Sequence, residues 1–278
     1  VQDALKAVND AQTLADYQTA LSAYNAAVLD AQKKHVQANI DSINNNIAQI
    51  QSDITQLEAI AADNPTDTDI AGWLADAKTR LTNAQTALSQ AQAALESLNS
   101  DTMSMADANN LVVGTDQNSA AAASAQKIAD DDLLSAQTRA ASNLALAKEA
   151  ATSAATAVTS DNTTATNTIA DDVAALEQLA KDYSGNTTIA TALADAQKAL
   201  EDAKAAQAKV DTAAQTVPGL TSVQAVIAQQ TAVNSAGKDV QGMLVVANDA
   251  VTAARAEAAK VLADDQAAAK AAIQQQLD

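Results

Sequence analysis

The sequence predicts an all-α protein made of long helices, and three observations support this prediction. The 278 residues include only six glycines and two prolines, so turns are few and helices run long. Apolar residues recur at alternating steps of four and three over several heptads, which is the spacing of one face of a bundled helix. The chain has no Phe, one Trp and three Tyr, and a core of Ala, Leu, Ile and Val suits narrow bundles with closely spaced backbones.

An internal repeat is visible at an offset of 119 residues. Residues 53–81 read "DITQLEAIAADNPTDTDIAGWLADAKTRL", and residues 172–200 read "DVAALEQLAKDYSGNTTIATALADAQKAL". Thirteen of these 29 positions are identical, and no gap is needed to align them. Because 119 residues make seventeen heptads, each residue of the second copy returns to the same place on its helix face.

Breaks in the apolar pattern place the turns between helices. Pro65 marks the first turn, where Asp69 is the expected N-cap of the next helix. Gly185 and the dipeptide at 218–219 mark later turns. We therefore expect five helices, at residues 2–62, 70–98, 105–181, 187–216 and 220–278.

The apolar rows form the structural seam along which these helices should pack. In the two short helices the seam consists of Ile70, Leu74, Leu81, Leu88 and Leu95, and of Ile189, Leu193, Leu200 and Val210. In the first helix, one row begins at Leu14 and ends at Val28, and the next begins one residue out of step at Val36. Such a slip is typical of a point where a helix changes its partners.

The alternation of long and short helices favours elongated tandem three-helix bundles that share long continuous helices, with left-handed coiled-coil packing. A short helix can cover only half of a long neighbour, so each long helix continues into the next bundle. We expect a first bundle at residues 33–140 and a second at 141–258. Residues 1–32 then form a half-helix continuing from a preceding repeat, and residues 259–278 lead to a following repeat.

This plan of long helices shared between successive three-helix bundles resembles that of spectrin-like repeats. It also resembles the tandem helical repeats of large bacterial surface proteins of the adhesin type, which form stalks that carry an adhesive tip. The acidic, cysteine-free composition, rich in Thr, Asn and Gln, is more similar to a secreted bacterial stalk than to a cytoskeletal spectrin. The resemblance implies an extracellular, mechanical role at a bacterial cell surface.

The composition of the chain limits the classes of molecule that it could bind. A formal net charge of -18 and a pI near 4.2 argue against nucleic acid and against anionic lipid. No window approaches eighteen consecutive apolar residues, so we expect no membrane insertion. The absence of cysteine excludes disulfides and thiolate metal sites, and no sequence motif implies a cofactor. The opening at Val1, without Met or a signal-peptide pattern, is typical of a mature fragment or an excised segment.

Candidate sites are few, and each has a plain structural alternative. Trp73 is either a binding anchor or a cap on the end of a bundle, and the cap is the favoured interpretation. The only histidine, His35, is expected to be a partly exposed linker residue. The turn from Asp63 to Asp69 holds three carboxylates that could bind calcium weakly, although helix capping explains it better. The acids at 130–132 are expected on a solvated helix face, because adjacent helical positions diverge.

The expected function is a non-enzymatic stalk or spacer whose partners are adjacent repeats of the same chain. Two alternatives stay open. In the first, the bundles themselves adhere to a host surface protein or glycan, which an exposed cluster around Trp73 would favour. In the second, the long helices enclose a small molecule as a sensor or ligand-binding domain, which requires a buried polar pocket. An enzyme is more distant, because no nucleophile–base pair or phosphate loop appears in the sequence.

Overall fold

The computed structural model describes residues 1–100 and 103–277, and this part of the chain is helical with no strand. Short turns and one 3-10 turn, Val217–Gly219, connect the α-helices. The α-helices are α1 (Gln2–Asp10), α2 (Leu14–Asp63), α3 (Thr68–Leu98), α4 (Met105–Asp182), α5 (Thr187–Thr216) and α6 (Val223–Leu277). The predicted all-α class is therefore confirmed.

The chain divides into two compact units, which we name unit 1 (Val1–Ser142) and unit 2 (Asn143–Asp278). The boundary falls inside α4, which runs without interruption for 78 residues. Gly114 lies within this helix and does not interrupt it. The assignment of residues 33–140 and 141–258 as successive repeats stays a prediction.

Three helices contribute side chains to the core of unit 1. The α2 side chains in this core are large and apolar: Val36, Ile40, Ile43, Ile47, Ile50, Ile54 and Leu57. The α3 side chains recur every seven residues: Ile70, Ala77, Ala84, Ala91 and Leu98. The α4 side chains are small: Ala108, Ala122, Ala125, Ala129 and Ala136. Alanine on two of the three helices lets the backbones approach closely, so the large α2 side chains fill the centre.

Unit 2 also buries side chains from three helices. Along α4 the buried apolar residues are Ala151, Ala155, Ala165, Ile169, Val173 and Leu176. Along α5 they include Ile189, Ala196, Ala203 and Val210, and Val217 follows in the 3-10 turn. Along α6 they include Val226, Val233, Val240, Ala247 and Ala254. Large buried residues thus occur on all three helices of unit 2, whereas in unit 1 they lie mainly on α2.

The prediction of one unbroken helix over residues 2–62 is wrong, because the chain turns at residues 11–13 and α1 packs against α2. The hydroxyl of Thr13 accepts a hydrogen bond from the Asp16 backbone N–H at 3.1 Å and donates one to the Asp16 carboxylate at 2.6 Å. Thr13 is therefore the N-cap of α2, and an N-cap of this kind starts a helix at a defined residue. The expected half-helix at 1–32 therefore contains a turn.

The N-cap of α3 is Asp67, and the predicted Asp69 is wrong by two residues. The Asp67 carboxylate accepts hydrogen bonds from the backbone N–H groups of Asp69 and Ile70 at 3.1 and 3.2 Å. In the second copy, Asn186 caps α5 in the same way and accepts from the Ile189 N–H at 3.1 Å. Gly185, immediately before that cap, has φ of 91°, a backbone conformation that side chains with a Cβ rarely adopt.

Candidate functional site

The candidate functional feature is the apolar seam that repeats between α3 and the segment of α5 with its 3-10 turn. Five positions at steps of seven are buried in each copy, and each lies 119 residues from its counterpart. The five pairs are Ile70 and Ile189, Ala77 and Ala196, Ala84 and Ala203, Ala91 and Val210, and Leu98 and Val217. The heptad register read from the sequence is thus the register in which both copies bury their side chains.

The leucines predicted as seam residues lie beside this central row. Leu74, Leu81, Leu88 and Leu95 are half-buried and pack against the core of unit 1. Leu193 and Leu200 do the same in unit 2. The centre of the seam is instead filled mainly by alanine. We attribute this to close helix spacing, which leaves room for a methyl group at the centre and for leucine only at the flank.

Trp73 is half-buried and packs against the core of unit 1. The corresponding residue of unit 2 is Ala192, which is buried. This environment is what a cap at the end of a core would require, and the role of Trp73 as a binding anchor stays a prediction.

The turn from Asp63 to Asp69 is tied to α4 by a cation from the chain itself. The Arg139 Nε donates to the Asp67 carboxylate at 2.7 Å, and its Nη2 lies 3.7 Å from the Asp69 carboxylate. The hydrogen bond and charge of Asp67 raise the pKa of Arg139 above its ordinary value. Within residues 1–100 and 103–277, no group of three or more His, Cys, Asp or Glu side chains is arranged to hold a metal ion.

The same two positions are joined in unit 2 by different chemistry. Asn186 lies 119 residues after Asp67 and donates from Nδ2 to the Glu257 carboxylate at 3.2 Å. Glu257 lies 118 residues after Arg139. The buried residues of α6 in unit 2 follow those of α4 in unit 1 at the same offset of 118 residues. Each unit therefore joins the N-cap of its short helix to its third helix, with an ion pair in unit 1 and an amide–carboxylate bond in unit 2.

The expectation of a solvated face at residues 130–132 is wrong for two of the three acids. Asp131 is exposed and pairs with Lys127 at 2.9 Å, as a solvated face would have it. Asp130 and Asp132 are half-buried. Burial raises the pKa of Asp132, Asp76 adds to this rise, and Arg80 opposes it. The error arises because α4 packs against both α2 and α3, so residues on two sides of one helix turn meet a neighbour.

Two aspartates that each have a buried carboxyl oxygen were not singled out from the sequence. Asp53 in α2 is 1% exposed, and burial, followed by the nearby Asp130, raises its pKa to about 6. Its counterpart Asp172 lies at the equivalent position of α4, where burial raises its pKa and the charge of Arg255 partly offsets that rise. A signal was present, because both residues open the repeat match and each directly precedes a seam residue, Ile54 or Val173.

His35 belongs to a polar cluster between α2 and α4. Its Nε2 lies 2.7 Å from the Asp116 carboxylate, and Asn39 donates to Asp116 at 2.8 Å and to the Thr115 hydroxyl at 3.1 Å. The hydrogen bonds from Asn39 and His35 lower the pKa of Asp116. The predicted partial exposure of His35 holds, but the residue has partners on another helix.

A polar residue is buried in the core of unit 2. Asn162 is 1% exposed, and neither atom of its amide has a hydrogen-bond partner among the described residues. A groove of about 420 Å³ between α4 and α6 runs past it, with Asp161 and Lys238 on its rim. Asn162 is among the residues that line this groove. Its buried amide atoms lack partners among the described residues, so Asn162 is a weak point of the core.

The helices among the described residues include none that is both long and apolar enough to cross a membrane. No protein-family model matches the chain, and a search of curated proteins finds no match.

Proposed function

We propose that this chain is a non-enzymatic stalk or spacer segment of a secreted or cell-surface bacterial repeat protein of the adhesin type. In this proposal, spectrin-like three-helix bundles share long helices in tandem and project a binding tip. Adjacent repeats of the same chain are the immediate partners, and a host protein or glycan is met at the tip. The setting is extracellular.

The main support for the proposal is that the same row of five buried heptad positions occurs twice in the chain. The same five heptad positions are buried in α3 and in the α5 segment at a constant offset of 119 residues. An uninterrupted α4 of 78 residues supplies side chains to the cores of both units. In repeat proteins, each unit contacts its neighbours through such regular spacing, and length grows with the number of units. A spacer requires this property and does not require a reactive site.

The surface charge supports the same proposal. The chain carries 34 acidic and 16 basic residues. Like-charged molecules repel one another, so a strongly acidic exterior keeps closely spaced stalks from adhering side by side. The charge also disfavours contacts with acidic polymers at a cell surface.

Small-angle X-ray scattering of the full chain at physiological salt tests the proposal. Tandem bundles that share long helices, at about 45 Å of rise for each half-helix of about 30 residues, should give a maximum dimension above roughly 130 Å and a thin cross-section. A compact particle of about 70–80 Å would contradict the proposed tandem arrangement, and the spacer function would then fail.

A second candidate is an adhesive module in which the bundles bind a host protein or glycan directly. The observation that favours it is the apolar row at the start of α2, where Leu14 is 74% exposed and Tyr17 is 44% exposed. Binding of the intact chain to immobilised host-surface proteins and glycans would test this candidate. Binding that is lost in Leu14→Asp but kept in Asp16→Asn would favour the module over the spacer.

A further inference from the structure

Two acidic side chains from different helices meet inside unit 1. Asp53 on α2 is 1% exposed, and after burial the interaction with Asp130 on α4 is the next cause that raises its pKa. Gln49 donates to Asp53 Oδ1 at 3.2 Å, and Gln126 donates to Asp130. Asp53 Oδ2 is buried and has no geometrically acceptable donor among the described residues. Two carboxyls in this arrangement repel when both are ionised and attract when they share a proton.

A second titratable contact joins the same two helices about five turns away along α2. His35 on α2 lies 2.7 Å from the Asp116 carboxylate on α4. This contact is an ion pair only while the histidine is protonated. Each of the two contacts between α2 and α4 therefore gains attraction when one of its two side chains carries a proton.

Unit 2 has neither the pair of acids nor the histidine–carboxylate pair. The equivalent positions lie 119 residues later for the first helix of each unit and 118 residues later for the third helix. Asp172 and Asn248 stand where unit 1 has its two acids, so no second carboxyl is there to share a proton. Ala154 and Asn234 stand where unit 1 has the histidine and its carboxylate, and neither side chain titrates. Burial raises the pKa of Asp172, and the cation Arg255 on α6 partly offsets this rise because it favours the ionised carboxylate.

We propose that the α2–α4 interface of unit 1 is a proton-responsive contact, which mild acid tightens and neutral or higher pH loosens, and that the response is weaker in unit 2, where Asp172 has no second carboxyl opposite it. The inference concerns regulation of stiffness within the fold, and it stands whether or not the chain is a stalk. A spacer with one such unit would be firmer in an acidic setting than in a neutral one.

The direction of the response follows from the shift of Asp53. Its pKa is about 6 in the folded chain, against an ordinary value near 3.9 for aspartate. A raised folded-state pKa means that the stabilising contribution is complete below the ordinary value and is lost as pH rises through about 6. Among the charged groups of α3, Asp76 and Arg80 act on Asp132 of α4. The charged group that acts on Asp53 is Asp130.

The single tryptophan makes the test specific to one unit. Trp73 lies in α3 and packs against the core of unit 1, so its fluorescence follows unfolding of that unit in the full chain. We would measure urea unfolding by Trp73 fluorescence from pH 4.5 to 8 in the wild type and in Asp53→Asn. At pH 7.5, Asp53→Asn should lower the unfolding equilibrium constant on the order of tenfold, and the advantage should shrink towards pH 4.5.

Three further variants separate this proposal from general charge effects, since acid also reduces the repulsion within a chain of net charge -18. Asp130→Asn should act in the same direction as Asp53→Asn. His35→Gln should remove a smaller part of the pH dependence. Asp172→Asn, the matched change in unit 2, should leave the pH profile of Trp73 unchanged. Parallel pH profiles for the wild type and Asp53→Asn would overturn the proposal, as would a lower midpoint for Asp53→Asn at every pH.

Discussion

Unit 1 and unit 2 bury side chains in the same register but build their cores from different residues. On the first helix of unit 1, Ile43 and Ile47 are buried. At the equivalent positions of unit 2, 119 residues later, stand Asn162 and Thr166. The fold tolerates this exchange because heptad spacing alone brings the helix faces together. The identity of the side chains at each heptad position then sets the local stability of the bundle.

The polar substitutions in unit 2 carry an energetic cost. Both amide atoms of Asn162 and the hydroxyl of Thr166 are buried without partners among the described residues. An unsatisfied buried polar group costs about 1–3 kcal/mol. Larger apolar residues on α6 offset part of this loss of stability in unit 2. Val233 and Val240 occupy the positions that correspond to Thr115 and Ala122 of unit 1. We expect the middle of unit 2 to be its least stable level.

The largest expected effect comes from moving the polar residue of unit 2 into unit 1. Ile43 is fully buried in the core of unit 1. Ile43→Asn removes a large apolar side chain and buries an amide, so it should destabilise unit 1 by about 3–5 kcal/mol. Trp73 fluorescence during urea unfolding measures this loss. An exposed control, Asn45→Ile, should change little, and an unchanged midpoint for Ile43→Asn would break the assigned register.

The reverse exchange should stabilise unit 2. Asn162→Ile restores the apolar residue that unit 1 carries at this level, and we expect a gain of about 1–3 kcal/mol. Thermal unfolding followed by circular dichroism measures the gain, and Trp73 fluorescence should show no comparable change for unit 1. The control is Asn167→Ile, because Asn167 is exposed on the same helix. A loss of stability in Asn162→Ile would mean that Asn162 has a partner essential to the core.

Two glycines of α6 sharpen the comparison at the level next to Asn162. A Cβ on Gly237 would lie 2.8 Å from a methyl carbon of Val158 on α4, whereas a Cβ on Gly242 would meet nothing within 4 Å. Gly237→Ala should therefore cost about 1–2 kcal/mol through overpacking. Gly242→Ala should stabilise the chain by up to about 1 kcal/mol through helix propensity. Thermal melts that rank the two variants in the opposite order would contradict the close approach of α4 and α6.

The smallest expected effect is at the joined N-caps. Arg139→Ala breaks the ion pair with Asp67, and because the arginine is about half exposed the loss of stability should be small. The loss should also shrink at high salt. Glu257→Gln in unit 2 keeps a side-chain oxygen that can accept from Asn186, so its effect should be smaller and insensitive to salt. Urea unfolding at low and high salt distinguishes the two.

Periodicity made the helices, the seam and the register of the two copies predictable. Apolar spacing reports which face of a helix is buried, and Ile70 and Ile189 are both buried as that spacing predicts. The turn before Leu14 was missed because its signal is a local capping pair, Thr13 and Asp16, within an otherwise helical stretch.

The buried acids were harder to predict for a different reason. Whether Asp130 faces water or Asp53 depends on which helix packs beside it, and one sequence does not state that pairing. The repeat offered a partial signal, since an aspartate opens both copies of the match at 53 and 172. A charged residue that recurs beside a seam position is therefore a useful indication of a buried polar contact.

Hydrogen exchange measured by mass spectrometry near pH 6 is the most direct test of the central claim. That claim is that the cores of unit 1 and unit 2 share one heptad register but differ in stability. The segments to compare are residues 36–57 on α2 and residues 155–176 on α4, which are equivalent at the offset of 119 residues. We predict slower exchange in 36–57, and the fastest exchange of 155–176 around Asn162. Equal protection of the two segments, or slower exchange around Asn162, would contradict the assigned difference between unit 1 and unit 2.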